Sequence, residues 1–382
     1  MRSILTLSTL VVGLSICNGQ NLATERTIGK IEVAAEFHGQ MPTGVTVSDD
    51  GRIFVNYPRW SDPVEYTVAE LKNGEAVPYP NSEINRADLQ HLGDTLLSVQ
   101  SVVVDPTGKR LWILDTGSVA FAPTSFGGPK LVGIDLRDNK IFKKILFPEN
   151  VALPTTYLND VRFDLRRGRE GMAFITDSST AGPNGIIVVD LATGKSWRRL
   201  HEHASTKAEP QFVAIVEGTF LMLRLPGKKA QPFRAGADGI ALAADGKTLY
   251  YCPLSSRHLY GVSVDALADQ GRSDAAVAKT VEDLGEKGGA SDGLEADMEG
   301  RIYLSDYEHG SIHRRNTDGS LETLVHDPRI LWPDTLSLAS DGYLYFTVNQ
   351  QERQPAFQDG QDLRRKPYVL FRAKVDGRRI SQ

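Results

Sequence analysis

The sequence predicts an all-β protein, a six-bladed β-propeller of four-stranded blades whose ring is closed by an N-terminal strand. Three observations predict this fold. One strand–turn–strand unit recurs six times, the 35 glycines fall mostly in short turns between apolar runs, and 41% of the residues are hydrophobic against 24% charged. Many short strands separated by turn residues are typical of all-β folds, and six copies of one such unit favour a propeller.

Each copy of the unit consists of an apolar strand, a turn that contains Asp or Gly, and a second strand. Asp-Gly between alternating apolar runs is a strong hairpin signal, because the turn needs a positive φ. A third strand and often a fourth follow most copies, so each unit predicts one blade. The spacing of the copies is uneven, which leaves a five-bladed ring with one decoy unit as the alternative. Their first strands begin at Gly44, Ser101, Asp160, Gly239, Gly293 and Thr335.

The two ends of the chain are expected to meet in the last blade. The sixth unit ends soon after its third strand, and the run from Ile31 to Phe37 can supply the missing outermost strand by pairing with Tyr368 to Lys374. The segment 201–236 is too long for a simple connection, and Phe212 to Leu225 within it predicts an extra hairpin. Residues 21–382 are therefore expected to form a single propeller domain.

An export signal is predicted over residues 1–20. Arg2 supplies a positive charge, the run from Ile4 to Cys17 is apolar apart from small residues and hydroxyls, and a polar stretch follows. The run is too short to span a membrane, and no later segment approaches 18 continuous apolar residues. A buried first helix and a lipid anchor at Cys17 are the alternatives, although Ile16 is bulkier than a lipid-attachment signal allows. The mature protein is expected to be a secreted or periplasmic monomer.

Charge and cysteine content argue against several function classes. The formal net charge of −5 disfavours nucleic acid or an anionic membrane as a partner. Once the signal is removed, Cys252 is the remaining cysteine, so neither an intramolecular disulfide nor a cysteine zinc site is expected. Cys252 ends an apolar strand and is predicted to be buried. The sequence has no Gly-x-Ser-x-Gly elbow, phosphate-binding glycine loop or His-Glu-x-x-His pair, so no organic cofactor is expected and catalysis stays open.

A site is predicted at one end of the central channel. In a four-stranded blade, the loop that enters the innermost strand and the loop between the second and third strands lie on one face, because antiparallel strands alternate direction. Crowded carboxylates raise one another's pKa unless a cation neutralises them, and such oxygen ligands suit calcium. Asp before Gly can also be turn chemistry alone. The polar residues expected to converge there are Gln100, Asn159, Asp160, Asp238, Asp292 and Asp334.

Aromatic and amide residues are frequent in the loops expected on the same face. An organic cation can lie against Tyr57 or Trp60 with a carboxylate nearby, and packing of Trp60 within its own blade is the alternative. Concave propeller faces of this kind suit small molecules. The predicted ligand-binding residues are Tyr57, Trp60, Gln100, Asp160, Asp306, Tyr307, Asp334 and Asn349.

Several segments resemble the yellow/major royal jelly protein family, and the resemblance runs from about residue 40 to 375. It implies a secreted six-bladed propeller that binds an aromatic amine or a quinone-like compound in the central channel, with isomerase activity left open. The chain lacks the disulfide cysteines typical of insect members, which indicates a microbial relative. The segments are 41–45 with 55–60, 157–161 with 175–178, 185–198, and 238–242 followed by 249–256.

The chain is also distantly similar to the gluconolactonase/senescence-marker propellers, which are metal-dependent lactone hydrolases. This similarity implies a divalent cation such as calcium at Asn159, Asp238 and Asp292, where that family places metal ligands on inner strands. Thr43 stands where the family has a glutamate, and Asp238 replaces an asparagine. The sequence therefore carries two hypotheses, a small-molecule-binding propeller and a metal-dependent gluconolactonase-like hydrolase.

Overall fold

The computed structural model describes residues 26–382, and the predicted export signal with Cys17 lies outside them. The strands form six four-stranded antiparallel sheets and two small hairpins, so the predicted six-bladed propeller is confirmed. Among the described residues, the helices are all too short or too polar to cross a membrane.

The strands follow one another in blade order along the chain. Strand β1 is Ile31–Phe37. The first blade contains β2 to β5, at Gly44–Val47, Ile53–Asn56, Val68–Lys72 and Glu75–Pro78. The second contains β6 to β9, at Val99–Val104, Arg110–Asp115, Lys130–Asp135 and Lys140–Leu146. The third contains β10 to β13, at Leu158–Asp164, Met172–Asp177, Gly185–Asp190 and Ser196–Arg199.

An insertion with four two-residue strands separates the third blade from the fourth. Its strands β14 to β17 are Ile215–Val216, Thr219–Phe220, Met222–Leu223 and Gln231–Pro232. The fourth blade contains β18 to β21, at Ala237–Leu242, Thr248–Pro253, His258–Ser263 and Glu282–Glu286. The fifth contains β22 to β25, at Leu294–Ala296, Ile302–Asp306, Ser311–Arg315 and Leu321–His326. The sixth contains β26 to β28, at Pro333–Leu338, Tyr343–Val348 and Tyr368–Lys374.

Short helices lie in the connections between strands. The α-helices α1 to α3 are Ser82–Asn85, Val264–Ala268 and Asp274–Ala278. Single 3₁₀ turns are formed by Val119–Phe121, Ala204–Thr206 and Gln351–Arg353.

The sixth sheet contains strands from both ends of the described chain. Its order is β1-β28-β27-β26, and β1 pairs antiparallel with β28 from Ile31 opposite Ala373 to Phe37 opposite Tyr368. The predicted pairing of these two segments is therefore present. Each remaining blade is built from one continuous stretch of chain, as the repeat predicts.

Apolar clusters fill the space between neighbouring blades. Trp112 of the second blade stacks on Phe163 of the third with ring centroids 5.2 Å apart, and Phe174 of the third shares a cluster with Tyr251 of the fourth. The strands are apolar on both faces because each sheet packs between two neighbouring blades. Cys252 is free and buried in this core, as predicted.

The insertion packs over one end of the channel. Strands β14 and β15 form a hairpin, as predicted for Phe212 to Leu225, and β16 pairs with β17 in a second hairpin. Phe212, Leu221 and Phe233 join one apolar cluster with Trp332 and Phe357. We call residues 212–233 the roof.

Replacing Phe37 with Ala is expected to lower the free energy of unfolding by about 3 kcal/mol, because the ring is removed from a packed core. Phe37 is 5% exposed and packs edge-on against Tyr57 at 6.2 Å. Urea denaturation followed by tryptophan fluorescence measures the change. The matched control is Val33→Ala on the same strand, where the side chain is 50% exposed and we expect less than about 0.5 kcal/mol. Equal losses would contradict a packed role for β1.

Candidate functional site

The innermost strands of four blades are irregular where they begin. Their register shifts between Val99 and Ser101, Leu158 and Val161, Ala237 and Ile240, and Pro333 and Leu336. Residues at such bulges leave the regular ladder, which changes the direction of their side chains. The irregular positions coincide with predicted site residues, namely Gln100, Asn159, Asp160, Asp238 and Asp334.

Glycine follows Asp238 and Asp292 for a packing reason. A Cβ on Gly239 would lie 2.2 Å from the Asp292 carbonyl oxygen, and a Cβ on Gly293 would lie 2.3 Å from the Asp334 carbonyl oxygen. Asp238 and Gly239 lie inside β18 rather than in a turn, so turn chemistry does not account for them. The glycines allow neighbouring innermost strands to touch, and this contact brings the three aspartates together.

A cavity of about 310 Å³ opens at this end of the channel, under the roof. We call Asp238, Asp292 and Asp334 the acidic cluster; all three line the cavity. The aromatic residues of its lining are Trp60, Phe121, Tyr157, Phe233 and Phe357. Of the predicted site residues, the structure brings together Trp60, Gln100, Asn159, Asp238, Asp292 and Asp334.

Neutral donors hold two members of the acidic cluster. Trp332 Nε1 donates to Asp292 Oδ2 at 2.7 Å, and Asn349 Nδ2 donates to Asp334 Oδ2 at 2.7 Å. The carboxyl groups of Asp238 and Asp292 are within hydrogen-bond contact of each other. Two carboxyl groups in such contact retain a proton between them, because like charges at that separation repel.

Burial raises the pKa of all three carboxyl groups in the cluster. The charge on Asp292 raises the pKa of Asp238 and of Asp334 further. The hydrogen bonds from Asp238 and Trp332 act the other way on Asp292 and favour its charged form. The hydrogen bond from Trp332 therefore favours Asp292 as the charged member of the Asp238–Asp292 pair.

Trp60 and Tyr157 form a fixed aromatic wall. Trp60 Nε1 donates to the Tyr157 hydroxyl at 2.5 Å, and that hydroxyl donates to Gln100 Oε1 at 3.0 Å. Burial raises the pKa of Tyr157, so its hydroxyl stays protonated and keeps this bond. Sequence reasoning missed Tyr157, although it stands two residues before Asn159, and it missed Phe121 and Trp332.

Two predicted ligand-binding residues have other surroundings. Tyr57 does not line the cavity but is buried in the core, edge-on to Phe37 at 6.2 Å and to Tyr66 at 5.8 Å. Asp160 accepts a hydrogen bond from the Ser101 hydroxyl at 2.6 Å and pairs with Arg162 at 3.0 Å. Its charge is thereby neutralised within the channel wall.

Asp306, Tyr307 and Asn349 do not line the cavity. Asn349 donates to Asp334, as described above, and Tyr307 stacks on Trp332 with centroids 4.2 Å apart. Burial alone would raise the pKa of Asp306, but hydrogen bonds from His309 and His313 lower it to about 2. Asn349 and Tyr307 thus hold Asp334 and the Trp332 donor, whereas Asp306 is paired with the two histidines.

A sequence model of a known family, described as major royal jelly protein, matches residues 97–375. The chain belongs to the major royal jelly protein family. Protein yellow of Drosophila melanogaster is 27% identical over 248 residues, which cover 61% of this chain and 43% of yellow. Protein yellow of Drosophila madeirensis is 27% identical over 248 residues, which cover 61% of this chain and 41% of yellow. The chain thus spans less than half the length of these relatives.

Solved structures share the propeller fold at low sequence identity. A gluconolactonase from Xanthomonas campestris has a TM-score of 0.53 at 12% identity, covering 91% of this chain and 89% of its own. A calcium-binding protein, regucalcin, from Agrobacterium tumefaciens has a TM-score of 0.52 at 14% identity, covering 92% of this chain and 98% of its own. At these identities the likeness extends to the fold alone.

The described residues contain no group of three or more His, Cys, Asp or Glu side chains placed to hold a metal ion. The oxygens of Asn159, Asp238 and Asp292 suit a hard cation in chemistry. However, the Asp238 and Asp292 carboxyl groups contact each other, and a cation would have to displace the proton between them. The divalent cation at these residues stays a prediction.

The contact between the roof and the last connection contains a buried carboxyl group. Glu352 is 3% exposed, and neither of its carboxyl oxygens has a hydrogen-bond donor. Arg353 bonds instead to Glu217 in the roof, with Nε 2.8 Å from Oε2. Burial, together with the nearby Glu217 charge, raises the pKa of Glu352 to about 7.

Replacing Asp238 with Asn is expected to flatten the decline of stability as the pH rises above the unfolded-state pKa of about 3.9. The folded-state pKa of Asp238 is raised, so its contribution to stability is complete below the unfolded value of about 3.9 and is lost as pH rises through the folded-state pKa. Asn mimics the protonated form, so at pH 8 the variant should be more stable than the wild type. Urea denaturation at several pH values measures this. Parallel pH curves for the two proteins would contradict it, and Asp245→Asn in an exposed turn is the control.

Glu352→Gln is expected to protect the roof from opening above pH 7. The raised pKa of Glu352 means that its favourable contribution is present at low pH and is lost as pH rises through about 7. Hydrogen exchange of residues 212–225 at pH 6 and pH 8.5 reports the opening. In the wild type, the exchange rate corrected for its intrinsic pH dependence should be higher at pH 8.5 than at pH 6. In the variant, the corrected rate should be the same at both pH values. An identical pH response in both proteins would contradict the assignment.

Proposed function

We propose that the protein binds a small aromatic amine, or a related quinone-like compound, in the cavity at the end of the channel. The observation that carries the proposal is the acidic cluster, three buried carboxyl groups in a cavity that is otherwise mostly apolar and aromatic. Buried carboxylates favour a cationic partner, because an ammonium group neutralises them without exposing them to water. A cavity of about 310 Å³ has the size of a small-molecule site.

The geometry gives the two ends of such a ligand different surroundings. An ammonium group has three N–H donors and no acceptor, which matches carboxyl groups whose donor bonds come from Trp332 and Asn349. The apolar end of the ligand meets Trp60, Leu254 and Phe357 on the cavity surface. One end is therefore recognised by charge and the other by shape.

The Asp238–Asp292 pair also suits an isomerisation of a quinone-like ligand. A carboxylate and a carboxylic acid beside the same ligand provide a base and an acid. Asp292 would accept a proton from carbon, the electron pair of that C–H bond would shift through the conjugated system, and Asp238 would donate a proton to the carbonyl oxygen. The ligand gains and loses one proton, so no oxidant or reductant is needed.

A metal-dependent gluconolactonase-like hydrolase is the second candidate. The observation that favours it is that Asn159, Asp238 and Asp292 all line the same cavity. Calcium is the cation that these oxygen donors suit best. The contact between the two aspartates weighs against it, as described above.

Titration calorimetry with phenethylamine at pH 7.5 tests the amine proposal. We expect binding to the wild type and at least about tenfold weaker binding to Asp292→Asn and to Asp334→Asn, because each loses a charge-assisted hydrogen bond. Asp245→Asn, which changes a turn carboxylate with an exposed side chain, should bind as the wild type does. Binding that is unchanged in both cluster variants would refute the proposal.

Calcium and a panel of lactones separate the two candidates. The hydrolase becomes the preferred function if calcium raises the melting temperature of the wild type but not of Asp238→Asn, and if lactone hydrolysis requires calcium. If neither occurs while phenethylamine binds, the hydrolase is excluded.

A further inference from the structure

A loop at the rim of the cavity carries an aromatic ring on strained backbone. Ala120 and Phe121 have φ values of 51° and 57°, in the left-handed region that is unfavourable for residues with a Cβ. Two such residues in succession persist where surrounding contacts impose them, and strain of this kind concentrates at functional sites.

Hydrogen bonds hold this loop from both sides. Ala120 N donates to the Arg59 carbonyl oxygen at 2.8 Å, and the Ser118 hydroxyl donates to the Ala122 carbonyl oxygen at 2.8 Å. The backbone is therefore fixed in its strained conformation. The strained backbone fixes the direction of the Cα–Cβ bond of Phe121, and the ring can still turn about its χ angles.

The Phe121 ring covers the fixed aromatic wall. Its centroid lies 5.7 Å from the Trp60 ring at 23° between planes and 5.6 Å from the Tyr157 ring at 32°. Trp60 and Tyr157 are tied to each other by a hydrogen bond, whereas the Phe121 ring has no polar atom and is 60% exposed. Phe121 is therefore the ring of the three that can turn about its χ angles without breaking a hydrogen bond.

A role in folding does not explain this arrangement. A phenylalanine contributes to stability by burying its ring, and a side chain this exposed buries little of it. Packing of the ring would therefore not compensate for the unfavourable backbone conformation of residues 120 and 121. The ring does line the cavity, next to Ala122 and Pro123, and a ligand between it and the wall would bury it.

We propose that Phe121 is a specificity-determining residue, a movable ring that closes on a planar ligand against the wall of Trp60 and Tyr157. The site would therefore select amines that carry a planar aromatic ring over saturated amines of the same size and charge. This inference rests on the proposed function in that both place the ligand in one cavity. It further assigns to Phe121 the discrimination between planar and non-planar apolar groups of the ligand.

The experiment compares phenethylamine with 2-cyclohexylethylamine, which has the same charge and carbon number but no planar ring. For the wild type we expect a preference of about tenfold for phenethylamine in the ratio of the two Kd values, the size of one good aromatic contact. In Phe121→Ala and Phe121→Leu the ratio should fall to about two or below. Loss of the preference in the leucine variant would show that the planarity of the side chain matters rather than its apolar bulk. Phe121 is exposed, and unchanged melting temperatures confirm that both variants fold.

Phe126→Ala is the matched control. Phe126 lies in the same connection between strands β7 and β8, is 56% exposed, and does not belong to the cavity lining. Its removal should leave the ratio at the wild-type value. A ratio that falls equally in the control, or that survives in both Phe121 variants, would overturn the inference.

The outcomes distinguish this inference from the proposed function. If amines bind, the cluster variants weaken binding as expected, and the ratio does not depend on Phe121, the inference is wrong and the proposed function stands. If the wild type binds neither amine, indole serves as a neutral planar probe. Indole binding that is lost in both Phe121 variants would support the inference and refute the amine proposal. No binding of amines or indole would refute both.

Discussion

Neighbouring innermost strands lie so close together at the channel axis that backbone atoms of one blade contact those of the next. The strands diverge away from the axis, so they cannot form a continuous ladder, and their polar backbone groups need other partners. Gly293 N donates to the Asp334 carbonyl oxygen at 3.0 Å, and the Thr176 hydroxyl donates to the Asp238 carbonyl oxygen at 2.6 Å. A side chain on Gly239 or Gly293 would occupy the space of a neighbouring carbonyl. The arrangement of the blades and of the site carboxyl groups follows from this contact.

The same contact has an electrostatic consequence. It places Asp238, Asp292 and Asp334 together in a buried site, where ionised carboxylates are unfavourable. The protein lowers this cost with neutral donors, and Tyr307 keeps the Trp332 donor in place by stacking on it. Natural proteins accept such local conflicts where a ligand resolves them. Under the proposed function, a bound ammonium group would resolve the conflict at the acidic cluster.

Most of the fold could be predicted from the sequence because each blade repeats local signals. Gly246 and Gly342 have the positive φ that their turns require, and antiparallel topology alone brings the starts of the innermost strands to one face. The direction of individual side chains could not be predicted. Asn159 and Asp160 are adjacent, yet Asn159 lines the cavity and Asp160 bonds to Ser101. The bulge that separates them has no signal in the local sequence.

Loop residues were harder to predict for a related reason. Tyr57 follows the second strand of its blade and is predicted to lie at the site, but it is buried in the core, where Phe37 of β1 packs edge-on against it. Tyr157 precedes an innermost strand and lines the cavity. Phe121 also lines the cavity, and it reaches that position through a backbone conformation that few residues adopt. Such outcomes depend on contacts that are distant in sequence, which local patterns do not record.

The two parts of the cavity are built from different kinds of structure, and under the proposed function this would separate recognition of the ligand's charge from recognition of its shape. The acidic cluster is set by the innermost strands, which also carry the packing between blades, so its geometry cannot change without changing the fold. The apolar lining comes from connections and from the roof, whose own cluster around Phe212 and Phe357 is distinct from the clusters between blades. A fold can host unrelated functions when its loops differ. Under the proposed function, substitutions in the roof and in the Phe121 loop would alter the shape of ligand that the cavity accepts, while the preference for a cation would stay fixed.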